Sequence, residues 1–557
     1  MASPLALPAL PALAAAVALA VAVPVGAAGA QGGTAPVPGC DYAPIDLATY
    51  GGAPLEDPPE IRSSGGVLAA TLTVGYTDAT IAGCPVRLRT YDGALVGPTF
   101  RVSPGDTLSI TLDNVLPPNP HPHPMPMDIN VPHDFNTTNL HTHGLHVSPS
   151  VNSDNVLLSI EPGETFDYEI AIPDDHPPGT FWYHAHRHGS TALQVSSGMA
   201  GAIVIEGGLD DVPAIAEAGE RILLFQQIAY DRQGVIESYD DFGPGGWQAS
   251  HRQTLINGQV APTIEMAPGA VERWRMIHGG VRETLRPVLR RVGPLAGAPD
   301  YARLTATALS ALPIAVPQHE IAVDGLALGR IDTWDIVELQ PGQRSDVLVK
   351  APMVEEPTEF LLTDGALPGD RSLLGEAEPE RILARVVVSG AGRDMPLPTE
   401  AGVAGLAPFE PVTDDELDGA PQAVEFSIGS RICPPEGPCV PCQTGEDGCA
   451  TRFMVNDRPY NPDDVRTLRL GRAAEWTLSS AVANHPFHIH VNPFEATRIG
   501  PDGLPQTVWR DTLFVRQDEA PLRIRTRYER FTGRFVLHCH ILDHEDQGMM
   551  QRVEIVD

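Results

Sequence analysis

The stretch from Leu537 to Met550, LHCHILDHEDQGMM, restricts the fold more than any other part of this 557-residue chain. His538, Cys539, His540, His544 and Met549 are crowded into it, and Cys539 has a histidine on each side. Neighbouring side chains of a β-strand leave on opposite faces. A strand here turns Cys539 one way and His538 and His540 the other. One strand then serves two ligand clusters back to back, joined through a thiolate and its adjacent peptides. A thiolate with two imidazoles and a weak thioether is the ligand set of a blue-copper electron-transfer centre. His544 and Met549 follow where a loop after the strand can return to Cys539; Met550 is the neighbouring alternative, and the spacing favours Met549.

Three more histidine groups repeat the theme. His485, His488 and His490 lie in HPFHIH, His141 and His143 in LHTHG, and His184 and His186 in WYHAHRHG. Each H-x-H places two imidazoles on one strand face. The eight imidazoles at 141, 143, 184, 186, 488, 490, 538 and 540 suffice for three metal ions, and His485 and His544 complete the set around Cys539. A single H-x-H is usually a satisfied core or surface pair; four ordered motifs around H-C-H are not. The ligands come only from the two ends of the chain, so the fold has to bring residue 141 against residue 540.

These motifs, HTHG, HAH, HPFHIH and HCHILDHEDQGMM in this order, resemble those of the multicopper oxidases, the family of laccases, bilirubin oxidases and cuprous or ferrous oxidases. The resemblance covers almost the whole chain after its first segment. It implies four copper ions: one type 1, one type 2 and a type 3 pair. By resemblance, His485, Cys539, His544 and axial Met549 match the type 1 ligands, and His141 and His488 the type 2 ligands. His143, His184, His186, His490, His538 and His540 match the type 3 pair. Glu545 and Asp154 match carboxylates that the family uses near the cluster for proton delivery. The alternatives for each are a carboxylate that orients a ligand imidazole and a plain solvated charge. Cys539 carries the electron between the sites.

The net charge of −34 argues against nucleic acid or an anionic membrane as partner. Residues 1–30 read as a secretory signal: Leu5 to Val25 is apolar, and Ala28-Gly29-Ala30 fits a cleavage site before Gln31. No Lys or Arg precedes the apolar stretch, so a retained membrane anchor is the alternative. No later stretch is apolar for long enough to span a bilayer. The expected location is exported, periplasmic or secreted. With Cys539 set aside, six cysteines remain: Cys40, Cys84, Cys433, Cys439, Cys442 and Cys449. An even number in an exported chain suggests disulfides, with Cys40–Cys84 plausible and three pairings open for the other four. A small zinc site is the rival reading of the last four.

A repeat underlies the rest. Residues 93–114, 257–278 and 456–480 each show a turn, an alternating strand, a second turn and another strand, with Pro or Gly at most turns. Three copies predict an all-β chain of three related sandwich domains; the resemblance implies three cupredoxin-like Greek-key sandwiches. Composition places domain 1 at 39–208, domain 2 at 209–392, a Pro/Gly/acid-rich linker at 393–421 and domain 3 at 422–557. Two further Pro-Gly turns, Pro162-Gly163 and Pro341-Gly342, fall late in the first two domains. Residues 281–312, rich in Leu, Ala and Arg and without alternation, read as a helical or irregular insertion.

Dioxygen needs four electrons to become water, and reductants that give one at a time suit a blue site that stores and passes single electrons. Oxidation of phenols or aromatic amines is the first reading of substrate. Exported oxidation of Cu(I), Fe(II) or Mn(II) in copper tolerance is the second; eleven methionines without a methionine-rich run weigh against it. A copper-free scaffolding relative is a third, and the complete ligand set speaks against it. Among the other histidines, His188 extends HAHRH and reads as structural or as support for a ligand. His121, His123 and His133 lie with Met125 and Met127 in a proline-stiffened loop that could hold copper in transit; incidental residues in such a loop are the better reading. Asp543 and Asp546 carry no assigned role.

Overall fold

The computed structural model describes residues 52–557 except 121–127, 243–246, 248–249, 298–300, 302–303, 418–420, 435–438 and 518. The expected signal at 1–30, Cys40, and His121 and His123 of the proline-rich loop lie outside the described residues.

Each copy of the repeat supplies two strands that part company. In the first copy, Thr99–Val102 pairs parallel with Ala200–Ile205, while Thr107–Asn114 pairs parallel with Val67–Ile81 in another sheet. In the second, Thr263–Met266 joins Arg381–Val388 and Val271–His278 joins Gly219–Tyr230, again both parallel. In the third, Val465–Arg469 joins Met550–Val556 and Arg472–Ser480 joins Gln422–Ile432 in the same way. One short turn thus carries the chain between two sheets, three times over. Among the described residues the result is six sheets in three pairs. Each pair encloses its own apolar core: one around Leu72, Leu108, Tyr168 and Phe181, one around Phe225, Trp274, Leu289 and Phe360, and one around Phe426, Trp476, Phe487 and Phe535. The chain is three cupredoxin-like β-sandwiches in series. At roughly 1.5–3 kcal/mol for each large apolar side chain taken from water, these cores dominate the stability of each sandwich.

The segment expected to be helical or irregular at 281–312 is so only in part. Pro287–Pro294 is a strand between Ile314–Val316 and Thr358–Asp364, and a helix is confined to Ala306–Ser310. Its first four residues are all buried, which is why no alternation marks it. The segment 393–421 packs at several points: Met395 and Val403 join one apolar cluster with Ile321 and Leu348, and Val412 joins another with Leu326 and Trp509.

The seams between sandwiches position the site. Trp182, Ala202 and Val204 of the first meet Leu224 and Ile277 of the second. Val156 of the first meets Tyr460, Val536 and Met550 of the third. At the first–third seam two histidine-bearing sheets face one another. One has the strand order Glu60–Arg62, Thr99–Val102, Ala200–Ile205, Gly179–His184, His141–His143. The other has the order Val465–Arg469, Met550–Val556, Gly533–Cys539, His485–Ile489, Thr512–Val515. Among the described residues, no helix is long and apolar enough to cross a membrane.

Candidate metal centres

Cross-strand register brings the motifs together. His141 stands opposite His184 and His143 opposite Trp182 in one sheet. In the facing sheet His488 stands opposite His538 and Phe487 opposite Cys539. As strand alternation requires, Cys539 leaves one face and its flanking histidines the other.

On the first face, Cys539 Sγ lies 3.3 Å from His485 Nδ1 and 4.0 Å from His544 Nδ1, and the two nitrogens are 3.4 Å apart. His485 Nε2 donates to the Val482 carbonyl at 2.8 Å, which leaves Nδ1 as a lone pair facing the sulfur. Met549 is fully buried in the same apolar cluster as Cys539, and its carbonyl accepts from the Cys539 amide at 3.0 Å. Met550 points elsewhere, into the cluster of Val156 and Tyr460. Burial pushes the Cys539 thiol well above its ordinary value, with the Ile541 amide and the Arg282 charge opposing. A bound cation would reverse that and hold the thiolate.

On the second face the eight remaining imidazoles converge. His538 Nε2 is 3.2 Å from His186 Nε2 and 3.3 Å from His490 Nε2. His540 Nε2 is 3.3 Å from His143 Nδ1, with the His184 ring 5.7 Å away between centroids. His141 and His488 form a third group, their ring centroids 6.0 Å apart. His141 stacks on His490 and His143 on His488, each pair at 3.9 Å, so rings from the first and third sandwiches interleave.

The rings are prepared to bind cations. His141 Nδ1 faces Asp154 at 3.0 Å, His143 Nε2 faces Asp511 at 3.1 Å, and His488 Nδ1 donates to the Asp511 carbonyl at 2.9 Å. His184 and His538 donate Nδ1 to the carbonyls of Ala185 and Cys539. One nitrogen is thereby committed as a donor and the other turned inward as a lone pair. Nε2 of His141, His184 and His488 are buried without a hydrogen-bond partner. Burial holds every one of these histidines below its ordinary pKa, His184 at about 3 and His538 at about 4, so they stay neutral, the ligating form. Orphaned lone pairs on neutral imidazoles, beside a buried thiol, are the donor set that copper favours.

Two family models described as multicopper oxidase match the chain, one over residues 434–557 and one over 127–209. The chain belongs to the multicopper oxidase family. It is 22% identical over 485 residues to a multicopper oxidase of Staphylococcus haemolyticus, covering 84% of this chain and 83% of the relative. It is 22% identical to a laccase of Bacillus subtilis over 523 residues, covering 85% of this chain and 91% of the laccase. Among solved structures, a multicopper oxidase from Campylobacter jejuni described as a metallo-oxidase aligns with a TM-score of 0.67 and 24% identity, covering 92% of this chain and 98% of that one. This multicopper oxidase is therefore a copper-binding oxidase with O2 as acceptor.

Its carboxylates differ in their settings. Asp154 is buried, accepts from the Thr142 amide at 2.8 Å and braces His141; burial raises it to about 7. Glu545 is buried with an oxygen 3.8 Å from His186 Nδ1 and 3.9 Å from His188 Nδ1, and burial holds its carboxyl well above the usual range. Asp546 accepts from the amides of Gly189, Thr191 and Ala192 and from the Tyr239 hydroxyl, fastening the loop after Cys539 to the first sandwich. His133 donates Nδ1 to the Val131 carbonyl at 2.7 Å.

The second sandwich closes the site. Gly342 has φ +88° and lies so near that a Cβ there would stand 2.8 Å from the His540 ring and 3.1 Å from that of His143. Arg344, fully buried, donates to both Asp511 oxygens at 2.9 and 2.6 Å and to the carbonyls of Thr180, Gly342 and Asp324. It thus ties all three sandwiches behind His143. Gly144, of the HTHG motif, has φ +87°, and a Cβ there would strike Arg344 and Asp511. Sequence reasoning missed Arg344, Asp511 and Asp546. No short motif marks them, because Arg344 meets Asp511, Asp511 meets His143 and Asp546 meets Gly189, each across more than a hundred residues; only the turn Pro341-Gly342 hinted at a close approach.

Cys84 is in a disulfide, its expected partner Cys40 lying outside the described residues. Disulfides Cys433–Cys439 and Cys442–Cys449 resolve the open pairing, and the zinc alternative has no free thiol there.

Proposed function

We propose that this chain is a laccase-type oxidase, coupling one-electron oxidation of phenols or aromatic amines to four-electron reduction of O2 to water. The observation that carries the reading is the back-to-back arrangement at Cys539. On this reading His485, Cys539 and His544, with axial Met549, hold a type 1 copper, and His141 and His488 a type 2 copper. His143, His184 and His186 with His490, His538 and His540 hold a type 3 pair. Copper bound there supplies reversible one-electron storage at the first site and O2 reduction at the second. The peptides from Cys539 to His538 and His540 are the shortest covalent route between the two faces. Glu545 and Asp154 hold protons at carboxyl oxygens beside His186 and His141. Their raised affinity for protons suits delivery to a product that needs four of them. The two disulfides in the third sandwich favour an oxidising, exported location.

Oxidation of a metal ion is the second reading, favoured by the likeness to the Campylobacter jejuni metallo-oxidase and, at 18% identity, to a multicopper oxidase described as functioning in iron import. The absence of a methionine-rich run in the sequence favours phenols. Loaded protein is expected to be blue with about four coppers per chain. Cys539→Ser is expected to lose the blue band and keep most of the other copper; full blue absorbance in that variant overturns the assignment. The ratio of kcat/KM for a methoxyphenol to that for Cu(I) separates the two readings.

A further inference from the structure

Six of the candidate ligand rings turn a nitrogen outward onto a protein acceptor. His544 does the opposite. Its outer nitrogen, Nε2, meets Arg282 Nη2 at 2.9 Å, and a guanidinium can only donate. Arg282 comes from the second sandwich, just after Val281, whose carbonyl accepts from the Leu542 amide. Its Nη1 reaches the Phe242 carbonyl and lies 3.3 Å from Asp543 Oδ2. Its Nε is buried and has no partner.

The layering is equally specific. Of the three groups around the sulfur, Cys539 and His485 are fully buried and His544 keeps 3% of its surface. His544 is therefore the outer edge of the site. Over that edge the Arg282 side chain keeps 10% exposure, while Asp543 beneath it keeps 1%. The Arg282 side chain is thus the more exposed member of its pair with Asp543. With a metal on His544 Nδ1, Nε2 carries the ring proton and no longer accepts from Arg282. The guanidinium then retains Asp543 and the Phe242 carbonyl, with donors to spare.

We propose that Arg282 is the specificity-determining residue at the electron-entry edge of the Cys539 site. It takes the anionic end of an aromatic reductant, a carboxylate or a phenolate, on its free N–H donors, and it disfavours cationic reductants. The inference rests on the laccase-type reading and narrows its substrate class to phenols that carry negative charge. The chemistry balances. Each phenol loses one electron to the site and one proton to solvent, leaving a phenoxyl radical. Four such losses, with four protons, convert one O2 to two waters. Charge-assisted pairing at a site this enclosed changes kcat/KM by about tenfold.

The test compares syringate, which carries a carboxylate, with neutral 2,6-dimethoxyphenol and with Fe(II). The proteins are the copper-loaded wild type, Arg282→Gln and Arg282→Lys. Copper content and the reduction potential of the blue band are read beside the rates. Arg282→Gln is expected to lower the syringate-to-dimethoxyphenol ratio about tenfold, to raise the Fe(II)-to-dimethoxyphenol ratio and to lower the potential. Arg282→Lys is expected to keep most of the preference. In the wild type alone, added salt is expected to compress the syringate preference. That measurement decides the matter if Arg282→Gln does not take up copper. Ratios that ignore both the substitution and salt overturn the role of Arg282. A wild type that oxidises Fe(II) or Cu(I) and neither phenol overturns the laccase-type reading instead.

Discussion

Arg344 offers a quantitative test of how the three sandwiches are held behind the histidine nest. Replacing it with methionine keeps the volume and removes five donated hydrogen bonds, two of them to Asp511. Asp511 is left buried with its charge uncompensated. Even with Arg344 present, burial raises Asp511 to about 6, against an ordinary carboxylate near 4. Without it the carboxyl rises further. Breaking one side of a buried ion pair costs about 3–5 kcal/mol, and that is the loss expected for Arg344→Met in copper-free protein. Because the folded pKa is raised, the folded state holds the proton more tightly than the unfolded one. The penalty is therefore smallest below about pH 4, grows as pH rises from there toward the folded value, and is complete above it. Asp511→Asn in the same background removes the stranded charge, so the double variant is expected to recover about 2–3 kcal/mol relative to the sum of the singles. Urea denaturation of the four proteins, followed by tryptophan fluorescence on either side of pH 6, measures the cycle. A loss under about 1 kcal/mol for Arg344→Met, or strict additivity in the cycle, refutes the argument.

Gly342→Ala is expected to separate the two faces of the site. The new methyl strains a backbone at φ +88° and presses on His540 and His143, so copper is lost from the histidine nest while the blue band survives. Copper analysis beside the visible spectrum checks it. A second expectation concerns acid. Buried neutral histidines have folded pKa values depressed by desolvation: His176 and His188 to about 3, His278 and His485 to about 4. The unfolded chain therefore binds protons first, near pH 6.5. Stability is complete above that pH and falls as pH drops toward the folded values, by up to about 1.4 kcal/mol per pH unit for each histidine. Melting temperature against pH, with and without copper, should show a fall at least as steep for the loaded protein and one that continues below about pH 4, because its folded ligand rings cannot take up protons while the unfolded chain still can.

The sequence and the structure agree where chemistry repeats locally. H-x-H on a strand fixes which rings share a face, and H-C-H fixes that Cys539 faces away from its neighbours; both are consequences of a two-residue period. The three copies of turn, strand, turn, strand likewise announce strands that cross between sheets. The reading missed the strand at Pro287–Pro294, whose first four residues are all buried and leave no alternation to read. It was silent on Arg344, Asp511, Arg282 and Asp546. Their roles exist only once sandwiches meet, and a single buried charge leaves no periodic trace. Asp543 and Asp546, two residues of one short stretch, illustrate the point. One braces a guanidinium from the second sandwich and the other caps amides of the first.

Why the histidine nest lies on a seam follows from the same accounting of polar groups. A buried imidazole nitrogen without a partner costs about 1–3 kcal/mol, and His141, His184 and His488 each present one. Within a single sandwich such a cost would fall on a core that has alternatives, and the rings could turn to other acceptors. Here the outward nitrogens are already committed, to Asp154, to the Ala185 carbonyl and to the Asp511 carbonyl, so the inward ones cannot turn away. Relief comes only by opening the seam or by filling it with a cation. Ring pairs drawn from opposite sides of the seam, His141 on His490 and His143 on His488, make those two outcomes exclusive. Copper affinity and closure of the first sandwich on the third are therefore one free energy measured twice. A substitution that loosens Asp154 or Asp511 has to weaken both together.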